Sequence, residues 1–158
     1  YNFLKNNNLP YLKFHDSSLF SDKSNKFYLN LMFEYVPMTL KEYILSHPNS
    51  VIDTIIQIFF QCYYLDLLHI HHFDLHARNV LVKLTKKKNL KIFFEGKRYV
   101  LQNQSVECFL IDFGFAKVDA TKSNFWSFKK FIKQLEKDLG KDLFLNIKIK
   151  CRKLYQFL

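Results

Sequence analysis

The chain has 158 residues, of which 49% are hydrophobic and 24% are charged, a balance that indicates one folded globular domain and excludes a disordered chain. Its formal charge is +10, but Lys supplies most of the positive charge, so a solvated basic surface is favoured over bidentate recognition of nucleic-acid phosphates. Cys62, Cys108 and Cys151 lack metal-ligand spacing, which predicts free thiols in a protein of the cytoplasm or nucleus of a host cell.

The first part of the chain predicts two strands and a short helix. Residues 1–26 are rich in Asn, Ser and Asp, which indicates loops around one short strand at Tyr11–Phe14. The aromatic and aliphatic run Lys26–Val36 is followed by a proline and predicts a buried strand. Thr39–Leu45 predicts a short helix, and a second proline closes it.

The longest apolar pattern predicts a helix from Val51 to about Ile70. Its apolar residues recur at helical spacing, and Ser50 and Asp53 have the spacing of a capping box. A membrane span is disfavoured, because Asp53 and Asp66 would each cost roughly 2.5 to 3.5 kcal/mol at the centre of a bilayer. The helix is therefore expected to lie in the core of a soluble domain.

The second half predicts short strands and one amphipathic helix. Turns at Lys86–Asn89 and at Glu95–Gly96 separate the strands. The predicted strands are Val80–Leu84, Leu90–Phe94, Tyr99–Leu101 and Glu107–Ile111. A helix begins near Ser123 and ends at Gly140, and the tail 141–158 is expected to be mostly helical.

Two motifs carry the chemistry of this sequence. The first is His72-Phe73-Asp74-Leu75 followed by Asn79, and the second is Asp112-Phe113-Gly114 after a strand-like run. Together they resemble the catalytic loop and the D-F-G motif of eukaryotic-type protein kinases. Asp74 and Asn79 stand at the separation found in H-x-D-L-x-x-x-N. The resemblance covers roughly residues 27–139, which is most of the chain.

The resemblance implies a role for each motif residue. Asp74 would be the base that orients and deprotonates the acceptor hydroxyl, while Asn79 and Asp112 would hold Mg²⁺ with hard oxygen ligands. Arg78 occupies a position from which tyrosine kinases approach the transferred phosphate. His76 gives the D-L-H sequence of atypical and small-molecule kinases. The implied cofactors are ATP and Mg²⁺.

The same resemblance extends to an adenine pocket. The segment from Phe27 to the proline at position 37 is similar to the last N-lobe strand and the hinge, so Glu34 and Val36 are the candidate backbone contacts to adenine. Phe33 would lie at the back of the pocket, and Leu81 would form its floor. Each of these residues is equally explicable as ordinary strand core.

The resemblance also implies the fold. We expect an α+β, kinase-like C-lobe that is mainly helical with a short β-hairpin insertion, with residues 1–36 as a remnant N-lobe and hinge strand and 37–158 as the C-lobe. The insertion, Leu84 to Cys108, resembles that of haspin-like kinases and of some kinases from large DNA viruses. Asn124-Phe125-Trp126-Ser127-Phe128 is similar to the D-V-W-S-F start of the central C-lobe helix, with Asn124 in place of the Asp.

Several features depart from the kinase pattern. Phe73 stands where an Arg usually precedes the base, so we expect no switching by loop phosphorylation and expect the ring to pack beneath the catalytic loop. The connection from Gly114 to Asn124 is short and lacks an A-P-E motif. The three glycines cannot form a glycine-rich lid, and the first residue is Tyr1. We therefore expect a fragment that is nearly inactive alone, because one lost charge-stabilising donor costs about 2.7 to 4 kcal/mol.

Three functions remain open from the sequence. The first is ATP- and Mg²⁺-dependent phosphoryl transfer to a Ser or Thr hydroxyl of a protein substrate, which the basic charge suggests is acidic or associated with nucleic acid. The second is a catalytically dead kinase lobe that acts as a decoy by binding other kinases. The third is a small-molecule kinase of the choline or aminoglycoside type, which an acidic substrate pocket would favour.

Overall fold

The computed structural model describes residues 12–140 and Leu145. In chain order the strands and helices are β1 (Phe14–Ser21), β2 (Phe27–Phe33), β3 (Met38–Thr39), α1 (Leu40–Ser46), α2 (Val51–Leu67), β4 (Ile70–His71), β5 (Val80–Phe94), β6 (Lys97–Leu110), β7 (Lys117–Val118) and α3 (Asn124–Leu139). Single 3-10 turns occupy Pro48–Ser50 and Phe113–Phe115. The predicted tail 141–158, with Cys151, lies outside the described residues except for Leu145.

The expectation of a mainly helical fold is wrong. Within residues 12–140, more positions lie in strands than in helices, and the strands form three antiparallel sheets with the orders β1-β2, β3-β5-β6 and β4-β7. The hairpin of β5 and β6 accounts for most of the difference, because it is far longer than the short insertion that the sequence predicts. The chain is α+β with a large antiparallel component.

The β5–β6 hairpin is long because the predicted turn at Lys86–Asn89 does not form. Lys88 pairs with Gln104, and irregularities on either side of Lys88 let the strands continue. The turn at Glu95–Gly96 is confirmed, since both residues have positive φ, 49° and 73°, as a two-residue type I′ hairpin requires. A lysine-rich run without glycine or proline thus produces a bulge instead of a reversal.

The core lies between α2, α3 and the β5–β6 hairpin. Helix α2 buries residues on several of its sides, among them Ile55, Ile58 and Phe59. The Phe59 ring contacts the rings of Phe60, Phe94, Phe125 and Phe128 with centroid distances of 5.5 to 6.1 Å. This aromatic cluster holds the two long helices against the hairpin.

The observed helix boundaries agree closely with those predicted from the sequence, but one predicted helix cap does not form. Thr39 forms a capping box with Glu42 at the start of α1. Ser50 precedes α2 but makes no side-chain cap bond, so the expected capping box there is wrong, although Asp53 does lie in the first turn. At α3, the Ser123 hydroxyl accepts from the Phe125 amide and Gly140 ends the helix with φ 78°.

The N-terminal hairpin contradicts two expectations. Strand β1 occupies residues that are predicted as loop, and β2 is exposed at every position instead of buried. The two strands pair with each other alone among the described elements. The aromatic and aliphatic run therefore predicts a strand here, but no described element covers either face of β2.

Two observations concern the compartment. Cys62 and Cys108 are free and buried, and burial raises the pKa of both thiols. None of the helices in the described part of the chain has the length and apolar character needed to cross a membrane. The expected location in the cytoplasm or nucleus stays a prediction.

Candidate functional site

The loop between β4 and β5 brings Asp74 and Asn79 into contact. The Asn79 side-chain amide donates to the Asp74 carboxylate oxygen Oδ2 and to the Asp74 backbone carbonyl, both at 3.0 Å. The backbone carbonyl of Asn79 accepts from the Ile111 amide at 3.0 Å. Since Ile111 immediately precedes Asp112, one chain of hydrogen bonds connects the two motifs.

The buried His72 side chain also contacts both motifs. Its ring is 1% exposed, Nε2 lies 2.8 Å from the Ile111 carbonyl oxygen, and Nδ1 accepts from the Asp74 amide at 3.4 Å. This pattern requires the proton on Nε2. The ring also packs against Phe113 at 4.7 Å. The backbone at Asp74 is therefore held by a buried side chain that also contacts the D-F-G segment.

Asn124, the first residue of α3, anchors the start of the loop that carries Asp74 and Asn79. Its Oδ1 accepts from the His72 amide at 3.1 Å, and its Nδ2 donates to the Asp66 carboxylate at 2.7 Å and to the Ile70 carbonyl at 2.6 Å. The residue is 1% exposed. Position 124 therefore carries a neutral amide, and the carboxylate of this cluster is supplied by Asp66 of α2.

His76 and Arg78 lie beside the predicted base. The His76 Nδ1 accepts from the Arg78 amide at 3.2 Å, which leaves the proton on Nε2, and Nε2 lies 3.5 Å from Asp74 Oδ2. Arg78 is exposed. The loop thus directs an N–H toward the Asp74 carboxylate, while a role for the Arg78 guanidinium stays a prediction.

The expected burial of Phe73 is wrong. Its side chain is 47% exposed, and its ring lies 5.8 Å from the His71 ring. The physical reason is that His71 and His72, 2% and 1% exposed, already occupy the buried positions of the loop. Phe73 itself has a left-handed backbone, with φ 59°.

Asp112 lies at the rim of a cleft of about 740 Å³. The residue has a left-handed backbone, φ 59° and ψ 66°, and its Oδ1 accepts from the Gly114 amide at 3.4 Å. All four residues predicted for the adenine pocket line this cleft: Phe33, Glu34, Val36 and Leu81. Its size and largely apolar lining suit a planar organic ligand, and the binding roles of the four residues stay predictions.

Glu34 joins the two hairpins at the edge of this cleft. Its Oε2 accepts from the Lys83 ammonium at 2.8 Å, and its Oε1 accepts from the Lys13 amide at 3.2 Å. The hydrogen bond from Lys83 holds the pKa of Glu34 below its usual range. The Glu34 carboxylate is thus engaged within the protein, and so is its backbone amide, which donates to the Lys13 carbonyl at 2.8 Å. A backbone contact from Glu34 to adenine stays a prediction.

The residues predicted to hold magnesium offer two oxygen donors. Asp112 supplies an exposed carboxylate, and Asn79 commits its amide nitrogen to Asp74, so that its oxygen is the donor suited to a cation. No group of three or more His, Cys, Asp or Glu side chains among residues 12–140 could form a metal cage. This small donor set fits Mg²⁺, which proteins usually bind through one or two carboxylates together with substrate phosphates.

A second cleft, of about 390 Å³, lies beside the motif that contains Asp74. The sequence did not predict this cleft. It is lined by the catalytic-loop residues 73–76 and by residues of α3, including Trp126, Lys130, Lys133 and Lys137. Asp74 lines this cleft, and Asp112 lines the first. The spacing of the lysines along α3 was the available signal.

Comparisons with known proteins identify no family. No protein-family model matches the chain, and no curated protein matches it significantly. One solved structure that it resembles is a crystal structure of the Rad53 kinase domain and SCD2, with 18% sequence identity and a TM-score of 0.47. The match covers 74% of this chain and 37% of that chain. It is too distant to assign a family, and it does not bear on the haspin-like or viral resemblance.

Proposed function

We propose that this chain is the C-terminal lobe of an ATP- and Mg²⁺-dependent kinase that phosphorylates Ser or Thr hydroxyls of a protein substrate. The observation that supports this most strongly is the hydrogen-bonded connection from Asp74 through Asn79 to Ile111. It holds a candidate base and a candidate metal ligand on adjoining segments. The Asn79–Ile111 bond continues the β5–β6 ladder beyond the Val80–Leu110 pair, so the sheet itself places the two segments side by side.

The two clefts suit the two substrates of a phosphoryl transfer. The larger, apolar cleft ends at Asp112 and would take the adenine, so that the phosphates extend toward Asp112 and Asn79. The second cleft contains Asp74 and would take the acceptor hydroxyl. In this arrangement Asp74 accepts the hydroxyl proton, while the Nε2–H of His76 restrains the position of its carboxylate.

Magnesium would be held by Asp112 and Asn79. When bound, the ion neutralises phosphate charge as the phosphoryl group moves. The protein's own contribution is to keep the Asp112 carboxylate in its left-handed turn and to hold the Asn79 amide against Asp74. Catalysis by this lobe is then mainly a matter of positioning.

The hypotheses of a decoy kinase lobe and of a small-molecule kinase lack a supporting observation of this kind. The cleft beside Asp74 carries three lysines and one carboxylate among its described lining residues, which is the wrong sign for a cationic small molecule such as choline. A decoy would fold in the same way but would not need to bind a nucleotide with Mg²⁺. Nucleotide binding therefore decides between the proposals.

The test is binding of a fluorescent ATP analogue to this chain with and without Mg²⁺. We expect Mg²⁺ to strengthen binding and Asp112→Asn to weaken the Mg²⁺-dependent affinity by roughly tenfold or more, because a neutral amide loses most of the attraction for the cation. Asp138→Asn is the matched control, since Asp138 is an exposed carboxylate on α3. Circular dichroism checks that both variants fold. Binding that ignores both Mg²⁺ and Asp112→Asn would refute the proposal.

A further inference from the structure

The cleft beside Asp74 has one strongly basic wall. Helix α3 contributes Lys130, Lys133 and Lys137, whose spacing of three and four residues places them along one stripe of the helix. The opposite wall is the catalytic loop at residues 73–76. Asp74 is the one carboxylate among the described residues that line the cleft. The cleft is therefore positive except at the base itself.

The basic wall is partly ordered before any ligand arrives. The Lys130 ammonium lies 3.9 Å from the centroid of the Trp126 ring, which holds it at the mouth of the cleft by a cation–π contact. Trp126 is 62% exposed, so this contact occurs at the surface. A ligand that pairs with Lys130 needs less ordering of that side chain than one that binds a free lysine.

The loop and the helix run side by side along the cleft. The His72 amide is bound by Asn124 at the start of α3, while Ala77 and Leu135 line the same small cavity farther along the helix. Lys130 and Lys137 are separated by about 10 Å along the helix axis. That distance equals roughly three residues of an extended peptide.

We propose that this lysine cleft binds acidic side chains that flank the acceptor hydroxyl of a protein substrate. The inference rests on the proposed kinase function and names its substrate class. A peptide in the cleft would present its hydroxyl to Asp74 and its acidic side chains, spread over about three positions, to the lysines of α3. The net charge of +10 would also steer an acidic partner toward the chain.

The geometry favours a peptide over single-stranded nucleic acid. Base stacking would use a face of Trp126, and Lys130 already covers one of the two faces of that ring. Lysine ammonium groups act as point charges that suit separate carboxylates as well as phosphates. Asp74 would repel a continuous phosphate backbone, whereas a peptide offers a neutral hydroxyl at that point.

Intrinsic fluorescence provides the test, because Trp126 is the single tryptophan of the chain and lines the cleft. The probe is a short peptide with a central Ser flanked by Glu on both sides, compared with the same peptide carrying Gln. We expect the Glu peptide to change the Trp126 emission with an affinity that falls as salt rises. We expect the triple variant Lys130→Gln, Lys133→Gln, Lys137→Gln to weaken it about tenfold, as three exposed ion pairs would.

A second triple variant controls for net charge. Lys86→Gln, Lys91→Gln and Lys97→Gln remove the same charge from exposed positions of the β5–β6 hairpin, and the affinity should change by less than about twofold. Asp74→Asn should instead strengthen binding of the Glu peptide, since it removes the one negative charge in the cleft. Equal losses in the two triple variants, or equal affinity of the Glu and Gln peptides, would overturn the proposal.

Two further measurements separate this proposal from others. A single-stranded RNA oligonucleotide that binds more tightly than the Glu peptide and depends on the α3 lysines would overturn the peptide class. Mg²⁺-dependent binding of the ATP analogue should be unchanged in the α3 triple variant. If the parent chain binds no nucleotide but does bind the Glu peptide, the kinase proposal fails while the acidic-peptide site stands as a binding site.

Discussion

The two hairpins of this chain have the same secondary structure and opposite surroundings. In β1–β2 every side chain is exposed, and large apolar residues such as Leu19, Phe27 and Leu29 are 64 to 73% exposed. In β5–β6 the inward residues Val80, Val82 and Cys108 are at most 1% exposed. Strand propensity therefore does not decide burial. The contacts with α2 do.

Two glutamines of α2 account for much of this difference. Gln57 donates to the Val106 carbonyl at 2.9 Å and accepts from the Cys108 amide at 3.0 Å. One turn later Gln61 donates to the Cys108 carbonyl at 2.8 Å and accepts from the Leu110 amide at 3.3 Å. Because β6 is the edge strand of its sheet, these side chains provide the bonds that a further strand would make. The described hairpin β1–β2 has no such partner helix.

The largest expected effect comes from removing one of these amides. Gln57→Leu keeps the volume but leaves the buried Val106 carbonyl and Cys108 amide without that partner, at a cost of about 1 to 3 kcal/mol each. We expect the free energy of unfolding to fall by roughly 2 to 6 kcal/mol. Urea denaturation followed by circular dichroism measures it. Leu29→Thr in the exposed β2 is the control and should change the value by about 0.5 kcal/mol or less.

The comparison fails if these two variants lose similar stability. Such a result would mean that β2 is as tightly anchored as β6, or that water replaces the Gln57 amide at no cost. A large loss for Gln57→Leu alone would support buried polar bonds as the reason that one hairpin belongs to the core.

The Asn124 amide provides a second test of whether buried amides anchor the fold. Its replacement should lower the free energy of unfolding by an intermediate amount. Asn124→Asp restores the residue usual in the resembled kinases, but it places a carboxylate against Asp66, where Asn124 Nδ2 now donates at 2.7 Å. Two buried like charges should cost about 3 kcal/mol at neutral pH. The cost should shrink in acid, because protonation of one carboxyl removes the repulsion.

Adding Asp66→Asn to Asn124→Asp should recover most of the lost stability, since the amide and the carboxylate simply exchange places. A double-mutant cycle with all four proteins, measured by urea denaturation, isolates this coupling. Additive losses would show that Asp66 does not explain why position 124 carries an amide.

The smallest expected effect concerns the one described ion pair that joins the two hairpins. Glu34 and Lys83 are partly exposed, so their pair should contribute about 0.2 to 1 kcal/mol. The lowered pKa of Glu34 means that this contribution is present above its ordinary pKa of 4.5 and is lost as the pH falls through the lower folded value. Lys83→Met should therefore destabilise the chain near neutral pH and have little effect in acid.

Urea midpoints recorded near neutral pH and below the lowered folded pKa of Glu34 measure this difference. Lys91→Met, also on β5 but exposed, is the matched control and should show no such pH dependence. A Lys83→Met effect that is the same at all pH values would show that the methylene stem, and not the ion pair, joins the hairpins.

Local sequence patterns predicted much of the framework. Helices α1, α2 and α3 follow from apolar residues at helical spacing, and the end of the β5–β6 hairpin follows from Glu95–Gly96, because such signals depend on neighbours a few residues away. The contact between Asp74 and Asn79 was also accessible, since both lie in one short loop. The identity of the candidate base and metal ligands thus came from the sequence by itself.

The tertiary structure decided which residues are buried and which elements bury them. Apolar and aromatic runs predict strands in both hairpins, but burial required α2 to supply Gln57 and Gln61 across nearly fifty positions of sequence. Phe73 is exposed because His71 and His72 fill the space beneath the loop, and the α3 lysines line a cleft because the loop packs beside them. Sequence spacing describes one element at a time, whereas burial and charge complementarity depend on which elements meet.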